Sequence, residues 1–381
     1  MRLVHVITPG DHFSPLTGSA IPTVVHGLCA SLPEGQPRPV VVVARSTYAE
    51  RYASADITEY EQRRPWRVGA LNERHLDGAL SLVGLPRWGS RRLWAAAVEG
   101  QADWDPAIIL AHNAPQLIPV VDHHRHRAVL YAHNQLLRSY RRAEARRVLA
   151  SAAAIVCVSD ALAGELSDRL PPGLRPLLRV VRNGVDVDAF RRRTPLERVG
   201  PLRVVFVGRM IPDKGADVLV EAVKRLGRPD IDLTLVGSSG FSATDPLSPY
   251  ERAVRESLVE LGGRARVRAF VPRAEVAAVL QQADVAVVPS RWPDPCPLSV
   301  LEGMAAGAAV VGSEIGGIPE TVRGVGVLVP PGDVAALADA LDGLASDESH
   351  RQRVARACLA HAETHSWARV SAQLHSTLAA L

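Results

Sequence analysis

The sequence predicts an α/β protein of two doubly wound parallel-sheet domains. Three observations predict it. Short apolar runs alternate with helix-patterned segments along the chain. The alternation stops at a polar, turn-rich stretch, RRRTPLERVGPLR (191–203), and then starts again. The 381 residues are also enough for two sizeable cores.

In the first half, residues 3–7 read as the first buried strand. A loop with Gly10 and Gly18 follows, then a helix over 21–32, and VVVVA (40–44) is the second apolar strand. Strand, glycine loop and helix in that order open a nucleotide-type domain, although a full GxGxxG is missing. Residues 45–104 read as irregular with short helical stretches. Their aromatics, Tyr48, Tyr52, Tyr60, Trp66, Trp88, Trp94 and Trp104, are assigned to packing of a variable subdomain rather than to an acceptor surface. AIILAHN (107–113) and AVLYAHN (128–134) are strands ending in His112 and His133, at the edge where open α/β sheets bind ligands. LLRSYRRAEARRVLA (136–150) reads as a basic helix and AAIVCVS (153–159) as a strand. VVRNGVDVDAF (180–190) closes the half with a strand and a turn at Asn183-Gly184.

In the second half, RVVFVGR, DLTLVG and ARVRAFV read as strands, with DVLVEAVKRL, ERAVRESLVEL and AEVAAVLQQ as the helices between and after them. ADVAVV (283–288) is a buried strand ended by Pro289 and a loop with Pro293, Pro295 and Pro297. A helix over 298–306 has Pro297 near its first position and Gly307 at its stop. AAVV (308–311) and VGVLVP (325–330) are short strands, DVAALADALDGLAS is a helix of 3.6-residue periodicity, and the tail is helical.

The stretch PSRWPDPCPLSVLEGMAAGAAVVGSEIGGIPE (289–320) is the candidate chemical centre. A helix N-terminus offers unpaired N–H groups and a partial positive charge, which suits a phosphate. Asp294 lies just before that helix and Glu302 about one turn inside it, and carboxylates accept hydrogen bonds from a diol. On spacing alone the segment fits a phosphosugar site or ordinary helix capping equally well. VGRMIPDKG (207–215) adds Arg209, a planar fork for phosphate oxygens, and Lys214, a compact charge. The chain has two lysines, Lys214 and Lys224, so a lysine kept where arginine is the habit suggests point-charge geometry.

Bulk properties exclude several classes. A formal charge of +4, sparse aromatics and spread arginines give no nucleic-acid groove. The arginine bias reads as GC-rich coding. Cys29, Cys157, Cys296 and Cys358 are scattered without a CxxC pair, which fits a reducing cytoplasm with neither a disulfide frame nor a zinc site. MRLVHVITPG reads as a strand entering a glycine loop, not a signal peptide, and no apolar run approaches ~18 residues. Asp103-Trp104-Asp105 and Asp186-Val187-Asp188 spell DxD but are read as structural. His123-His124-Arg125-His126 is read as a solvated loop. The basic helix 136–150 could touch anionic lipid, with a solvated face preferred.

NGVDVDAF, VGRMIPDKGADVLVEA, ADVAVVPSRWPDPCPLSVLEGMAAGAAVV, GGIPE and a late HSW together resemble the family 4 retaining, nucleotide-sugar-dependent glycosyltransferases of GT-B fold. The matches keep the family's order and are densest over 180–330. The resemblance implies two Rossmann-like domains facing across a cleft: 1–190 for the acceptor, 191–360 for the donor, and a helix over 361–381 crossing back to the first. It implies that Glu302 holds the donor ribose and Asp294, where the family has Glu, lies near the donor sugar. Arg209 and Lys214 would grip the diphosphate with amides of Pro297, Leu298 and Ser299, although Pro297 has no N–H. Cys296-Pro297 stands where the family has Phe-Gly, and Gly18-Ser19 where it has Gly-Gly. Val271 and Arg273 fall near the base. His133 falls near the reacting carbon and the acceptor, with His112, His12 and Asn134 as further acceptor-side candidates.

The implied reaction moves a sugar from a nucleoside diphosphate, UDP by expectation, to an acceptor hydroxyl with retention and without metal or other cofactor. His133 orients substrate rather than acting as sole base. A bacterial, cytoplasmic enzyme acting on a small natural product such as an aminoglycoside or other antibiotic intermediate is expected. The alternatives are a lipid or polysaccharide glycosyltransferase at the membrane surface, a nucleotide-sugar epimerase or glycosyl phosphorylase, and a non-catalytic nucleotide-sugar-binding protein.

Overall fold

A computed structural model of the chain describes residues 2–64, 66–68, 71–193, 200–240 and 246–381. They form two compact units. Met1–Ser14, Ser19–Arg182 and Val370–Leu381 make the first; Pro15–Gly18 and Asn183–Arg369 make the second.

The first unit carries β1 (Arg2–Val6), β2 (Val40–Ala44), β3 (Asp56–Tyr60), the short antiparallel pair β4 (Arg67–Val68) and β5 (Leu71–Asn72), then β6 (Ala107–His112), β7 (Arg127–Ala132), β8 (Ala152–Cys157) and β9 (Leu178–Val180). Seven of these form one parallel sheet in the order β3-β2-β1-β6-β7-β8-β9. Its central strands are nearly continuous runs of Val, Ile, Leu and Ala because helices cover both faces of a parallel sheet. The second unit carries β10 (Leu202–Val207), β11 (Ile231–Val236), β12 (Ala265–Arg268), β13 (Val285–Val288), β14 (Ala309–Ser313) and β15 (Val327–Val329). These form a parallel sheet in the order β12-β11-β10-β13-β14-β15. One core lies on each face of it, around Leu219, Leu233 and Leu337 on one side and Leu301, Met304 and Ile318 on the other.

Four local expectations are corrected. Residues 56–60, read as irregular, are the edge strand β3, in register with β2 from Val40↔Asp56 to Ala44↔Tyr60. DITEY hides its strand character behind two carboxylates, which an edge strand tolerates. Asp56 is paired with Arg2 and Arg38. The basic helix is only Arg142–Leu149. The preceding residues turn instead, with Tyr140 N donating to Leu137 O at 3.1 Å and Arg87 Nη2 to Ser139 O at 2.7 Å. His126 is not solvated: it is 2% exposed, and its Nε2 lies 2.9 Å from Gln101 O. The tail is two helices, Glu348–Glu363 and Trp367–Ala379. They part where His365 O accepts from Val185 N at 2.9 Å and Ser366 bridges Val185.

Part of the expected linker, residues 194–199, lies outside the described residues. Before it, Arg192 is tied down, its guanidinium reaching Ala283 O, Ala306 O and the Asp284 carboxylate. Asp284 also takes the Arg203 guanidinium in a two-bond fork, at 2.9 and 3.0 Å, and the Arg203 N–H at 3.0 Å. Asp186 accepts from Ala189 N at 3.0 Å and so caps the helix Val187–Phe190. In the last helix, Ser371 Oγ donates to Leu28 O at 3.1 Å and Gln373 Nε2 to Val180 O at 3.3 Å.

Asp284 joins the start of β10 to the approach to β13. Asp284→Ala leaves the nearly buried Arg192 and the Arg203 fork without their acid. The substitution is expected to cost about 3–5 kcal/mol, read as a lowered midpoint in denaturant unfolding. An unchanged midpoint would show that the cluster does not hold the sheet.

Candidate functional site

In each sheet the chain order reverses at one place, between β1 and β6 in the first unit and between β10 and β13 in the second. Strands wound in opposite senses leave a crevice beyond their carboxyl ends at such a point, which is where open sheets bind ligands. The residues singled out in the sequence fall largely beside these two points.

In the second unit β10 runs into Gly208-Arg209. Gly208 N donates to Val236 O at 3.0 Å and Met210 N to Ser238 O at 2.8 Å, so the two strand ends are laced together. Arg209 is exposed just beyond the strand. A single turn, Pro212–Lys214, follows and ends at Gly215 with φ 69°. A Cβ on Gly215 would lie 2.0 Å from Pro289 O. Glycine is required there twice, for its left-handed conformation and for backbone contact with the end of β13. Asp213 O accepts Arg291 N at 2.9 Å, which binds the Lys214 turn to the proline loop. Across that junction Lys214 Nζ is ion-paired with Asp294. The Asp294 carboxylate is 13% exposed and the Lys214 side chain 30%.

The rest of the proline loop is held as firmly. Asp294 O accepts Gly317 N at 2.9 Å, and a Cβ on Gly316 would lie 2.5 Å from that oxygen. Asn183 Nδ2 donates to Cys296 O at 2.9 Å. The helix Leu298–Ala305 then starts with Pro297 as its N-cap and no side-chain capping bond, at residues Leu298 and Ser299. Glu302 sits one turn in, 2% exposed and ion-paired with Arg273. Arg273 opens the helix Arg273–Leu280 just after Val271, with its guanidinium 5.3 Å from the centre of the Phe190 ring. One sheet end thus gathers Arg209, Lys214, Asp294, a helix N-terminus, Glu302 and Arg273. Such a set can hold a phosphate beside a polyol: cations and helix amides for the anion, carboxylates for hydroxyl groups.

In the first unit, His112 is the last residue of β6 and His133 follows β7 directly. They are not separate candidates. His112 Nδ1 lies 2.8 Å from His133 Nε2, and His112 Nε2 lies 3.0 Å from Nδ1 of His5, a β1 residue. Tyr131 stacks on both His112 and His133, with ring centres 4.9 and 4.7 Å away. Burial pushes His5 and His133 down to about 3, with the charges of His375 and His133 adding to the effect at His5. His112 is held well below 6.5, first by burial and then by His133 and His5. All three rings are therefore neutral near pH 7. Asn113, at φ 51°, accepts the His133 N–H on its side-chain oxygen at 2.8 Å.

His12 is turned to other work. Its Nδ1 accepts Tyr48 N at 2.8 Å and its ring stacks on Tyr48 at 3.8 Å. Asn134 is exposed beside His133. Gly18 and Ser19 precede the helix Ala20–Ala30, and Ser19 is its N-cap. Asp11, just after β1, is raised by burial, against which hydrogen bonds from Ser19 and Thr8 act. Sequence reading assigned nothing to His5, Asn113 or Asp11. The repeated AHN at the ends of β6 and β7 was a usable signal for Asn113; His5, inside an apolar strand, offered none. No cluster of three or more His, Cys, Asp or Glu placed to hold a metal ion occurs among the described residues.

Comparison with known proteins matches residues 21–189 to the model of "Glycosyltransferase Family 4" and residues 201–347 to that of "Glycosyl transferases group 1". The chain is 32% identical to a glycogen synthase of Mycobacterium tuberculosis over 282 residues, 72% of this chain and 66% of that protein. It is 35% identical to a D-inositol 3-phosphate glycosyltransferase of Corynebacterium glutamicum over 215 residues, 52% of this chain and 50% of that one. The matches thus span one half to about two thirds of these relatives' length. Among solved structures, Anabaena Alr3699/HepE in complex with UDP and glucose superposes with a TM-score of 0.76 at 18% identity over 100% of both chains. Sucrose-phosphate synthase from Thermosynechococcus elongatus does so with 0.72 at 18%, over 100% of this chain and 98% of that one. The likeness is one of fold, two parallel-sheet α/β domains of GT-B type.

The neutral histidines carry a pH signature. Below the ordinary imidazole value of 6.5 the unfolded chain takes up protons at His5, His112 and His133, while the folded chain resists until about 3 at His5 and His133. Their contribution to stability is complete above 6.5 and is lost as pH falls toward 3, at about 1.4 kcal/mol per pH unit for each proton taken up. Thermal unfolding from pH 7.5 down to 4.5 should show the loss, and His112→Phe should flatten the slope. Equal slopes in parent and variant would refute the neutral assignment.

Proposed function

Because the chain belongs to the family 4 glycosyltransferases, we propose that it transfers a glycosyl group from a nucleoside-diphosphate sugar to an acceptor hydroxyl. The observation that carries this reading is the cluster at the β10/β13 end of the second unit. Three cations, Arg209, Lys214 and Arg273, and a helix start without a side-chain cap stand there beside two carboxylates, of which Glu302 is buried.

The bond to be broken joins the anomeric carbon to a diphosphate oxygen, so negative charge grows on the leaving group. Arg209 and Lys214 face that charge, with the amides of Leu298 and Ser299 at the helix N-terminus. Such preorganised donors are worth most where charge develops. They supply what a metal would, and the reaction is proposed to need none. Glu302 accepts from the ribose hydroxyls, Val271 and Arg273 border the base, and Asp294 meets hydroxyls of the transferred sugar. Lys214 is paired with Asp294 and Arg273 with Glu302. Donor binding then exchanges one partner for another: the diphosphate takes Lys214 and the diols take the carboxylates. Gly18 and Ser19 lie on the phosphate side. His133 is assigned to the acceptor side, with His112 behind it. Retention follows a same-face course in which the departing phosphate takes the acceptor proton.

UDP is the proposed nucleotide, supported by the UDP complex of the HepE neighbour. The proposed acceptor is a small polyhydroxylated molecule of the cyclitol or aminoglycoside kind, supported by similarity to inositol-phosphate glycosyltransferases. The protein is proposed to act in the cytoplasm.

A thermal-shift screen of nucleoside diphosphates and their sugars should find one that raises the melting temperature, because a ligand of the folded state stabilises it in proportion to occupancy. No shift with any of them would remove the basis of the proposal. On the responding donor, Lys214→Ala should slow transfer by about 100-fold or more. Glu302→Gln should slow it by about 10- to 100-fold, the worth of a charge-assisted hydrogen bond. Parent rates in both variants would sink the site assignment even if the donor binds.

A further inference from the structure

The sequence singles out His112 and His133 as alternative candidates for one role, but the fold joins them with His5 into a single buried row. His5 Nδ1 to His112 Nε2 is 3.0 Å, and His112 Nδ1 to His133 Nε2 is 2.8 Å. The rings run edge to edge along the row, with centres 5.2 and 5.1 Å apart and planes within about 20°. His5 and His112 are 1% and 0% exposed, and His133 is 8% exposed. His133, at the end of the row, is the least buried of the three.

A neutral imidazole has one N–H and one bare nitrogen. In a row linked Nδ1 to Nε2, each contact needs one donor and one acceptor, so the three rings cannot choose tautomers independently. Only two arrangements satisfy both contacts without charging a buried ring. Either all three carry their proton on Nδ1, or all three carry it on Nε2. The Nε2–H form is the intrinsically preferred tautomer of a histidine side chain, and in the second arrangement all three rings adopt it at once. His133 Nε2 then donates to His112 Nδ1, and His112 Nε2 donates to His5 Nδ1. The nitrogen left over at the His133 end of the row is its Nδ1, a bare acceptor.

We propose that His112 and His5 are positioning residues that lock His133 in the Nε2–H tautomer, so that its Nδ1 accepts a hydrogen bond from a substrate hydroxyl. A lone His133 could flip ring or tautomer and offer either a donor or an acceptor. Coupled to the row, it offers one group in one direction, which discriminates a hydroxyl at that place from a group that cannot donate. Tyr131, stacked on His112 and His133, fixes the ring planes. His375 also acts on the row, through its charge on His5. The inference rests on the placing of His133 against the substrate in the proposed function; the tautomer row itself does not.

The test uses the full chain labelled with 15N-histidine. Long-range 15N–1H correlation spectra of the substrate-free parent should show His133 with Nε2 protonated and Nδ1 bare. In His112→Phe and His5→Phe, His133 should become a mixture of both tautomers, although His5 does not bond to it. A parent His133 protonated on Nδ1, or one whose tautomer is the same in the parent and in both variants, overturns the proposal. Should both Phe variants fail to fold, scalar couplings across the two N–H···N contacts of the parent decide, and their absence overturns the row. With substrates, His112→Phe should lower kcat about tenfold, the worth of one misdirected hydrogen bond, with the donor KM little changed. His112→Gln, which keeps a donor and an acceptor at that place, should recover part of the loss. Unchanged kcat in His112→Phe with an altered tautomer overturns the positioning role. Transfer at the parent rate in His133→Ala would instead show that His133 does not meet the substrate, and the spectra separate that failure from failure of the row.

Discussion

The second unit's site depends on backbone touching backbone. At Gly215, Gly237 and Gly316 a methyl group would stand 2.0, 1.9 and 2.5 Å from the carbonyl oxygens of Pro289, Gly208 and Asp294 respectively. All three glycines also have positive φ. These contacts draw the turns after β10, β11, β13 and β14 together at one end of the sheet. Side chains from distant parts of the sequence then meet there at fixed separations. Lys214 and Asp294 are eighty residues apart and ion-paired, and Arg273 and Glu302 come from two different helices. No side chain could hold the turns this closely, since each would need the volume it is meant to remove.

Most of this architecture was legible because a parallel sheet covered on both faces writes its strands as plain apolar runs. The order of strands and helices in the second half follows from that alone. The Gly/Pro punctuation of 289–320 marks the loop and helix start to within a residue or two. What stayed hidden was of two kinds. β3 is a polar edge strand whose sheet pairing is carried by the backbone, so DITEY shows no apolar alternation. The break between the last two helices is made by Val185, which lies far away in sequence. Tertiary partners decide such features, and local pattern does not contain them.

The histidines show the same limit at the site itself. Two strands ending in AHN suggested two competing residues, because sequence places side chains on strand ends without saying which neighbours they meet. The sheet order settles it: β6 lies between β1 and β7. His112 is therefore flanked by His5 on one side and His133 on the other, and what looked like a choice is a row. Asn113, at positive φ, holds the His133 backbone from the same strand end. A residue type tolerant of that conformation is needed there, and asparagine also supplies the acceptor.

Charge in the second unit follows a related logic. Glu302 is buried, and a buried carboxylate without a partner is costly; Arg273 meets that need. Lys214 and Asp294 do the same for each other at the loop. The cluster therefore stands folded and internally balanced, with Arg209 and the helix amides as its further positive features. On the proposed reading, attraction for a diphosphate does not come from a broad basic field, which the modest net charge of +4 does not provide. It comes from an exchange of partners between groups already held in place by ion pairs. Asp294 matters most in that exchange. One methylene shorter than the glutamate usual in the family, it ends at Lys214, and on the proposed reading a donor whose diphosphate takes Lys214 must also present sugar hydroxyls able to take up the freed carboxylate.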